Sequence, residues 1–290
     1  MMNGIRIWIL VIAVGSVPSA AFAQIGQRLL PERWLERETS ERGEERERIE
    51  TDRHDFTQSP TVVGKGVAQI ESGYSYWRKK DQGETEEAHT APELMLRYGL
   101  TEDIEFRLRY NEVWQYGETE NRNGSEDLRW AFKARLNDQR RWIPESALEL
   151  RFTVPTGGDD WSTDKVEFGL DYIYGWRFNE RLELYGSSGF STNALGEYAF
   201  APDAPADEEF MVYTQSIALG MELTEKSTLY TEFFGLFTDG LEDDEESPVF
   251  FNIGVDYYFT DDFVFDVRVG HGLNDDAEDF FCGVGGGFRF

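Results

Sequence analysis

Cysteine is almost missing from this 290-residue chain: Cys282 stands alone, so no internal disulfide can form. Positive charge is scarce too. Lys and Arg number 28 against 56 Asp and Glu, and the resulting net charge of −28 is hostile to nucleic acid and to anionic head groups alike. Histidine occurs only at His54, His89 and His271. None has an obvious Ser and carboxylate constellation, which argues against a hydrolytic or acyl-transferring site. After residue 23 no stretch approaches the roughly 18 apolar residues that a spanning helix needs. A chain of this kind that crosses a bilayer must do so as a closed barrel.

The beginning of the chain has a separate character. A basic start with Arg6, an apolar run from Ile7 to Val17 and the small-residue site Pro18-Ser19-Ala20-Ala21-Phe22-Ala23 predict a cleaved export signal over 1–23. From Gln24 to about Ser59 charged residues dominate, as in Glu44-Glu45-Arg46-Glu47-Arg48. Such a stretch cannot bury a core, and residues 24–60 are expected to form a charged periplasmic segment. A sharper alternative is an amphipathic plug built on Ile25, Leu29, Leu30, Trp34 and Leu35 that enters a barrel from below.

From Val67 onward the hydrophobic period is two. Leu94, Leu96 and Tyr98 alternate with Glu93, Met95 and Arg97, and Ile104, Phe106, Leu108 and Tyr110 alternate with Glu105, Arg107 and Arg109. Continued to the end, the pattern predicts an all-β, antiparallel up-and-down transmembrane barrel of about 12 strands over residues 61–290. The strands are expected near 67–77, 91–98, 104–114, 126–137, 146–154, 165–177, 182–191, 210–223, 228–238, 249–259, 263–273 and 279–290. Connections after even strands are mostly tight. Those after odd strands are longer and acidic, at Asp81 to Glu87, Asp159-Asp160, Asp203 to Glu209, Asp239 to Glu246 and Asp275 to Asp279. That asymmetry fits short periplasmic turns and long outer loops.

The last strand ends on Phe290, with Phe280, Cys282, Val284, Gly286, Phe288 and Phe290 on one face and Phe281, Gly283, Gly285, Gly287 and Arg289 on the other. Phe288 and Phe290 are the expected signal for barrel-assembly machinery. Tyr98, Trp142, Trp176, Phe178, Tyr257 and Phe259 fall beside the tight turns, while Trp77, Trp114, Tyr116, Trp161 and Phe237 fall toward the opposite ends. They are expected to form two aromatic belts against outer-membrane lipid.

The inward positions carry charge. Arg97, Arg107, Arg109, Arg129, Lys133, Arg135 and Arg151, with Glu105 among them, are expected to line one wall of a pore, and Glu167, Asp171, Glu183, Asp256 and Asp266 the other. Arg268 and Arg177 are exceptions on the acidic side. Opposed walls would set up a transverse field that orients polar or zwitterionic solutes passing by diffusion. The competing arrangement is a filled, ion-paired interior with no path, which leaves a structural or adhesive barrel. A lipid-modifying enzyme is the third alternative. No cofactor is expected, and no metal site: the acidic loop Asp239 to Glu246 lacks the spacing of a Ca²⁺ hand.

Thr51-Asp52-Arg53-His54-Asp55-Phe56-Thr57-Gln58-Ser59-Pro60, followed by Gly66-Val67-Ala68-Gln69-Ile70-Glu71-Ser72-Gly73-Tyr74-Ser75-Tyr76, resembles the start of the outer-membrane transporter family labelled "putative MetA-pathway of phenol degradation". His54 stands where that family usually has Pro, and Gln58 where it usually has Glu. Arg97-Tyr98-Gly99-Leu100-Thr101-Glu102-Asp103-Ile104-Glu105-Phe106-Arg107 is similar to a hairpin of the same family, as is the Phe-rich end. The resemblance spans roughly 51–290 and implies an outer-membrane barrel that passes small, often aromatic, molecules. Its motifs look structural, and none marks a substrate site.

Overall fold

The computed structural model describes residues 48–53, 56–81, 83–117, 121–158, 160–193, 209–241 and 247–290. They belong to the compact unit Glu47–Phe290. The expected export signal, the alternative plug around Trp34, His54, and most of the Asp203 and Asp239 loops lie outside the described residues.

Thirteen strand segments occur among the described residues: β1 (Ala68–Asp81), β2 (Glu84–Gly99), β3 (Ile104–Tyr116), β4 (Asn121–Ser125), β5 (Leu128–Asn137), β6 (Glu145–Val154), β7 (Phe168–Asn179), β8 (Leu182–Thr192), β9 (Met211–Thr224), β10 (Ser227–Asp239), β11 (Val249–Thr260), β12 (Phe263–Gly272) and β13 (Phe280–Arg289). Each pairs antiparallel with its neighbour, and β13 returns to pair with β1, Gln69 facing Arg289 and Arg78 facing Phe280. β4 and β5 both pair with β3, so they are two lengths of one stave, and the closed barrel has twelve. The break falls at Glu126 and Asp127. The Asp127 carboxylate accepts the backbone N–H groups of Thr156 and Gly157, each at 2.9 Å, which draws the next loop into the gap.

Alternation along the strands is inside-out relative to a water-soluble protein. On β12, Phe263, Phe265, Val267 and Val269 are 39–43 % exposed, while Val264, Asp266 and Arg268 are at most 7 % exposed. The same outward apolar face recurs on β9 at Ile217, Leu219 and Met221, and on β5 and β6 at Phe132 and Leu150. A continuous apolar band of this extent is stable only against hydrocarbon, and closure pairs the backbone groups that hydrocarbon could not satisfy. The final strand follows the expected parity: Phe281 is fully buried, and Phe288 and Phe290 point out.

The end of the barrel that carries Phe290 has mostly tight turns, at Leu100 to Asp103, Glu180-Arg181, Glu225-Lys226 and Asp261-Asp262. We call it the turn end and the opposite rim the loop end. At the loop end the structure corrects two expected connections. Of the acidic stretch Asp81 to Glu87, Asp81 and Glu84 to Glu87 are strand rather than loop, because they lie against a basic stretch: Arg78 faces Glu87 and Lys79 faces Glu86. The strand expected to begin at 91 therefore begins at Glu84. A bulge at Ala91-Pro92 shifts its register and flips its parity, so Thr90 and Met95 both turn inward, and a strict period of two breaks there. The stave expected at 126–137 likewise gains Asn121–Ser125, paired with β3.

Candidate functional site: an ion-paired segment in the lumen

Residues 48–53 and 56–63 run inside the barrel. The expected boundary at residue 61 thus cuts through a segment whose described part is interior. It starts at the turn end, where the Ile49 N–H donates to the Asp261 carbonyl at 2.7 Å and the Arg48 guanidinium lies 4.4 Å from the Tyr258 ring centroid. It rises to Arg53 and Phe56, then returns to the same end. There the Val63 N–H donates to Glu105 at 2.8 Å and Gly66 to the Gly99 carbonyl at 2.8 Å. Gly64 and Gly66 have φ of +82° and +77°, a left-handed geometry that favours glycine, and they turn the chain into β1.

Two adjacent residues of this segment divide their charges between the walls. The Asp52 carboxylate accepts from Arg107 and from Lys133 (3.0 Å), and Arg97 lies 3.4 Å away. These three cations stand on β3, β5 and β2. Arg53 donates to Asp266 on β12 and to Glu93 on β2 at 2.7 Å. The wall also binds the segment's backbone. Glu71 accepts the N–H groups of Asp52 and Arg53 at 2.9 and 2.8 Å, and Glu232 accepts those of Phe56 and Thr57. Gln58 joins Arg107 (2.6 Å) to Glu149 (3.2 Å). Burying Asp52 disfavours its charge, but the nearby Lys133, Arg97 and Arg107 outweigh that and hold its carboxyl well below the usual carboxylate range.

Glycine makes the seat. A Cβ at Gly73 or Gly285 would collide with the Arg53 guanidinium, and one at Gly287 with Thr51. The glycines on the inward face of β13 therefore form a channel for the inserted segment, a close approach that a larger residue would forbid.

Cavities remain on either side. The one toward the loop end lies beside Arg53, Phe56, Trp77, Arg109 and Arg268. The other lies toward the turn end beside Glu50, Glu183, Tyr185, Asp256 and Tyr258. An apolar cluster of Trp77, Phe234, Phe250 and Phe281 projects into the loop-end half of the lumen, with Phe56 stacked on Phe234 at 4.6 Å. Trp77 and Trp161 were expected in an outer belt, but both are buried. Trp77 has the inward parity of Glu71 and Ser75, a signal present in the sequence. Trp142, Tyr98, Phe178, Tyr257, Phe259, Tyr116 and Phe237 are exposed, and Trp114 and Trp176 half-buried.

Of the residues expected to line a pore, Arg97, Glu105, Arg107 and Lys133 meet around Asp52. Arg109, Arg129 and Arg151 surround a small space beside Gln58, and Arg151 pairs with Asp171 at 2.6 Å. Asp266 holds Arg53, and Glu183 and Asp256 border the turn-end cavity. Two stand apart. Arg135 pairs with Asp103 at a turn (2.7 Å), and Glu167 caps the loop end through Thr163, Thr192 and Asn193. Asp52, Arg53 and Glu71 were not among the expected site residues, although the first two open the family-like motif and the third lies on the inward face of β1. His89 hydrogen-bonds Tyr74 at 2.8 Å, and His271 the Gly272 carbonyl.

The family model described as "Putative MetA-pathway of phenol degradation" matches residues 51–290, which takes in both the barrel and most of the inserted segment. The chain belongs to this family. No curated protein matches it significantly. Among solved structures it is similar to the COG4313 outer membrane channel from Pseudomonas putida F1, with a TM-score of 0.59 at 14 % identity over 83 % of this chain and 100 % of that one. The translocator domain of the autotransporter NalP from Neisseria meningitidis gives 0.52 at 14 % identity, over 94 % and 97 %. The NanC porin gives 0.50 at 10 % identity, over 76 % and 100 %. At these identities the likeness is one of fold: a barrel of outer-membrane type, shared with channels and porins.

Proposed function

We propose that this member of the family is a non-catalytic outer-membrane channel that passes small solutes by diffusion, and that the segment 48–63 determines how open its charge-lined lumen is. The chain would be exported after cleavage at Ala23 and inserted with Phe288 and Phe290 as its assembly signal. The turn end would then face the periplasm. The observation that carries the reading is an interior segment held by ion pairs and backbone-to-carboxylate hydrogen bonds, with a cavity on each side of it. A filled barrel needs only side chains to occupy its interior, whereas a separate segment with both feet at one end can change position while the wall stays closed. The opposed charge of the walls supports passage of polar or zwitterionic solutes: Arg97, Arg107, Arg129, Lys133 and Arg151 on β2 to β6, and Asp171, Glu232, Asp256 and Asp266 on β7 to β12.

Planar-bilayer conductance of the full chain, with a reversal potential across a salt gradient, tests this. The expected result is small or infrequent steps from the native chain and larger, more frequent steps from the double substitution Asp52→Ala/Arg53→Ala. The same density of contacts favours the second reading, a closed structural barrel. Silence from both proteins, each shown to have inserted, would select it.

A further inference from the structure

The loop-end cavity holds a cation that the ion-pair network does not use. Arg268, on β12, is 7 % exposed and lines the cavity. Among the described residues its one hydrogen bond runs from Nη2 to the Ser75 hydroxyl at 3.3 Å, its Nε is without a partner, and no carboxylate lies within ion-pairing distance. Arg53, Arg97, Arg107 and Arg151 are as deeply buried, and each has at least one. Asp266, two residues away on the same face, is committed to Arg53. A guanidinium taken from water without a counter-charge is costly, and it persists where an anion from outside the protein completes it.

What surrounds it narrows that anion. The Arg268 guanidinium lies 5.7 Å from the Trp77 ring centroid and 5.6 Å from that of Phe281, contacts that hold it against the two rings at the cavity wall. Gly283 faces it from β13, where a Cβ would stand 3.1 Å from its Nε. Phe56, Trp77 and Leu94 give the cavity an apolar side. The acidic residues nearby are matched within the protein: Glu93 by Arg53, Asp171 by Arg151, while Glu126 accepts from the Asn111 amide at 2.7 Å.

We propose that Arg268 and Trp77 form a binding subsite for a small aromatic carboxylate, its carboxylate on the Arg268 fork and its ring against Trp77 and Phe56. The proposal rests on the channel reading in naming a class of solute, but binding is measurable without conduction. The test is isothermal titration of the full chain in detergent with benzoate, benzyl alcohol, acetate and benzylammonium as probes. Saturable binding of benzoate is expected, about tenfold to a hundredfold tighter than benzyl alcohol, since a charge-assisted hydrogen bond separates the two. Acetate and benzylammonium should bind more weakly than benzoate. In Arg268→Gln, benzoate should fall to the level of benzyl alcohol, with benzyl alcohol itself unchanged. Benzylammonium binding as tightly as benzoate, no saturable benzoate binding, or an unaltered Arg268→Gln variant would overturn the subsite. The ligand series on the native chain stands even if the variant fails to fold, which an unheated gel would report. Benzoate binding without conductance would leave the subsite and remove the channel; conductance without benzoate binding would do the reverse.

Discussion

The two halves of the lumen are built from the same twelve staves and the same alternation, yet their interiors differ. Toward the turn end and at mid-barrel, Asp52, Arg53, Glu71, Arg97, Glu105, Arg107 and Lys133 satisfy one another, and the inserted segment occupies the space between walls. Toward the loop end, Trp77, Phe234, Phe250 and Phe281 displace charge from one wall, and Arg268, beside an open cavity, has no carboxylate partner among the described residues. A barrel interior is therefore not one environment. Matched charges close it where they are dense, and aromatic rings leave a cation available where they intervene.

The strongest way to break the contrast is to unmatch the closed half. Asp52→Ala leaves Lys133, Arg107 and Arg97 facing one another without their shared anion, and a cost of about 3–5 kcal/mol is expected in urea unfolding of the refolded barrel. A loss under 1 kcal/mol would mean that water already solvates this region. Val267→Lys, on the outward face between the buried Asp266 and Arg268, should cost about 2–4 kcal/mol in lipid, and little in a soluble environment. That difference between lipid and mild detergent sharpens inside against outside. The smallest effect concerns pH. The Asp52 carboxyl is held below its ordinary value of 3.8, so its contribution is fully present above that value and is lost as pH falls through the lowered one. The stability gap between the native chain and Asp52→Ala should stay constant from pH 8 to 5 and shrink only below about pH 4. A gap that closes between pH 7 and 5 would assign the effect to another group.

Most of the barrel was legible in the sequence because a period of two leaves little choice of face. Glu105, Arg107, Lys133 and Asp266 could be assigned inward, and Phe288 outward, from parity alone. The same rule failed where the backbone departs from it. The bulge at Ala91-Pro92 inverts parity within one strand, so the outer half of β2, and its charge pairing with Arg78 and Lys79, did not read as strand. The inserted segment was hidden by composition. A stretch as charged as Glu44 to Arg53 is read as solvated, and only partners on distant strands, such as Glu71 and Asp266, reveal that Asp52 and Arg53 are buried. Trp77 was misplaced for a different reason: an aromatic ring near a barrel rim suits a lipid belt equally well, and parity was the signal that should have decided.

One further consequence follows from Asp52 and Arg53 being neighbours in the chain. Asp52 is tied to Lys133 on β5 and Arg53 to Asp266 on β12, staves that lie far apart in the strand order. A single peptide unit thus works as a spoke across the ring. Hydrogen bonds around a barrel resist stretching of its circumference but do little to stop a circle from flattening into an ellipse; a spoke does. Seating the segment therefore stiffens the cross-section as well as occupying it, and withdrawing it would soften the hoop at the same moment that it clears the bore.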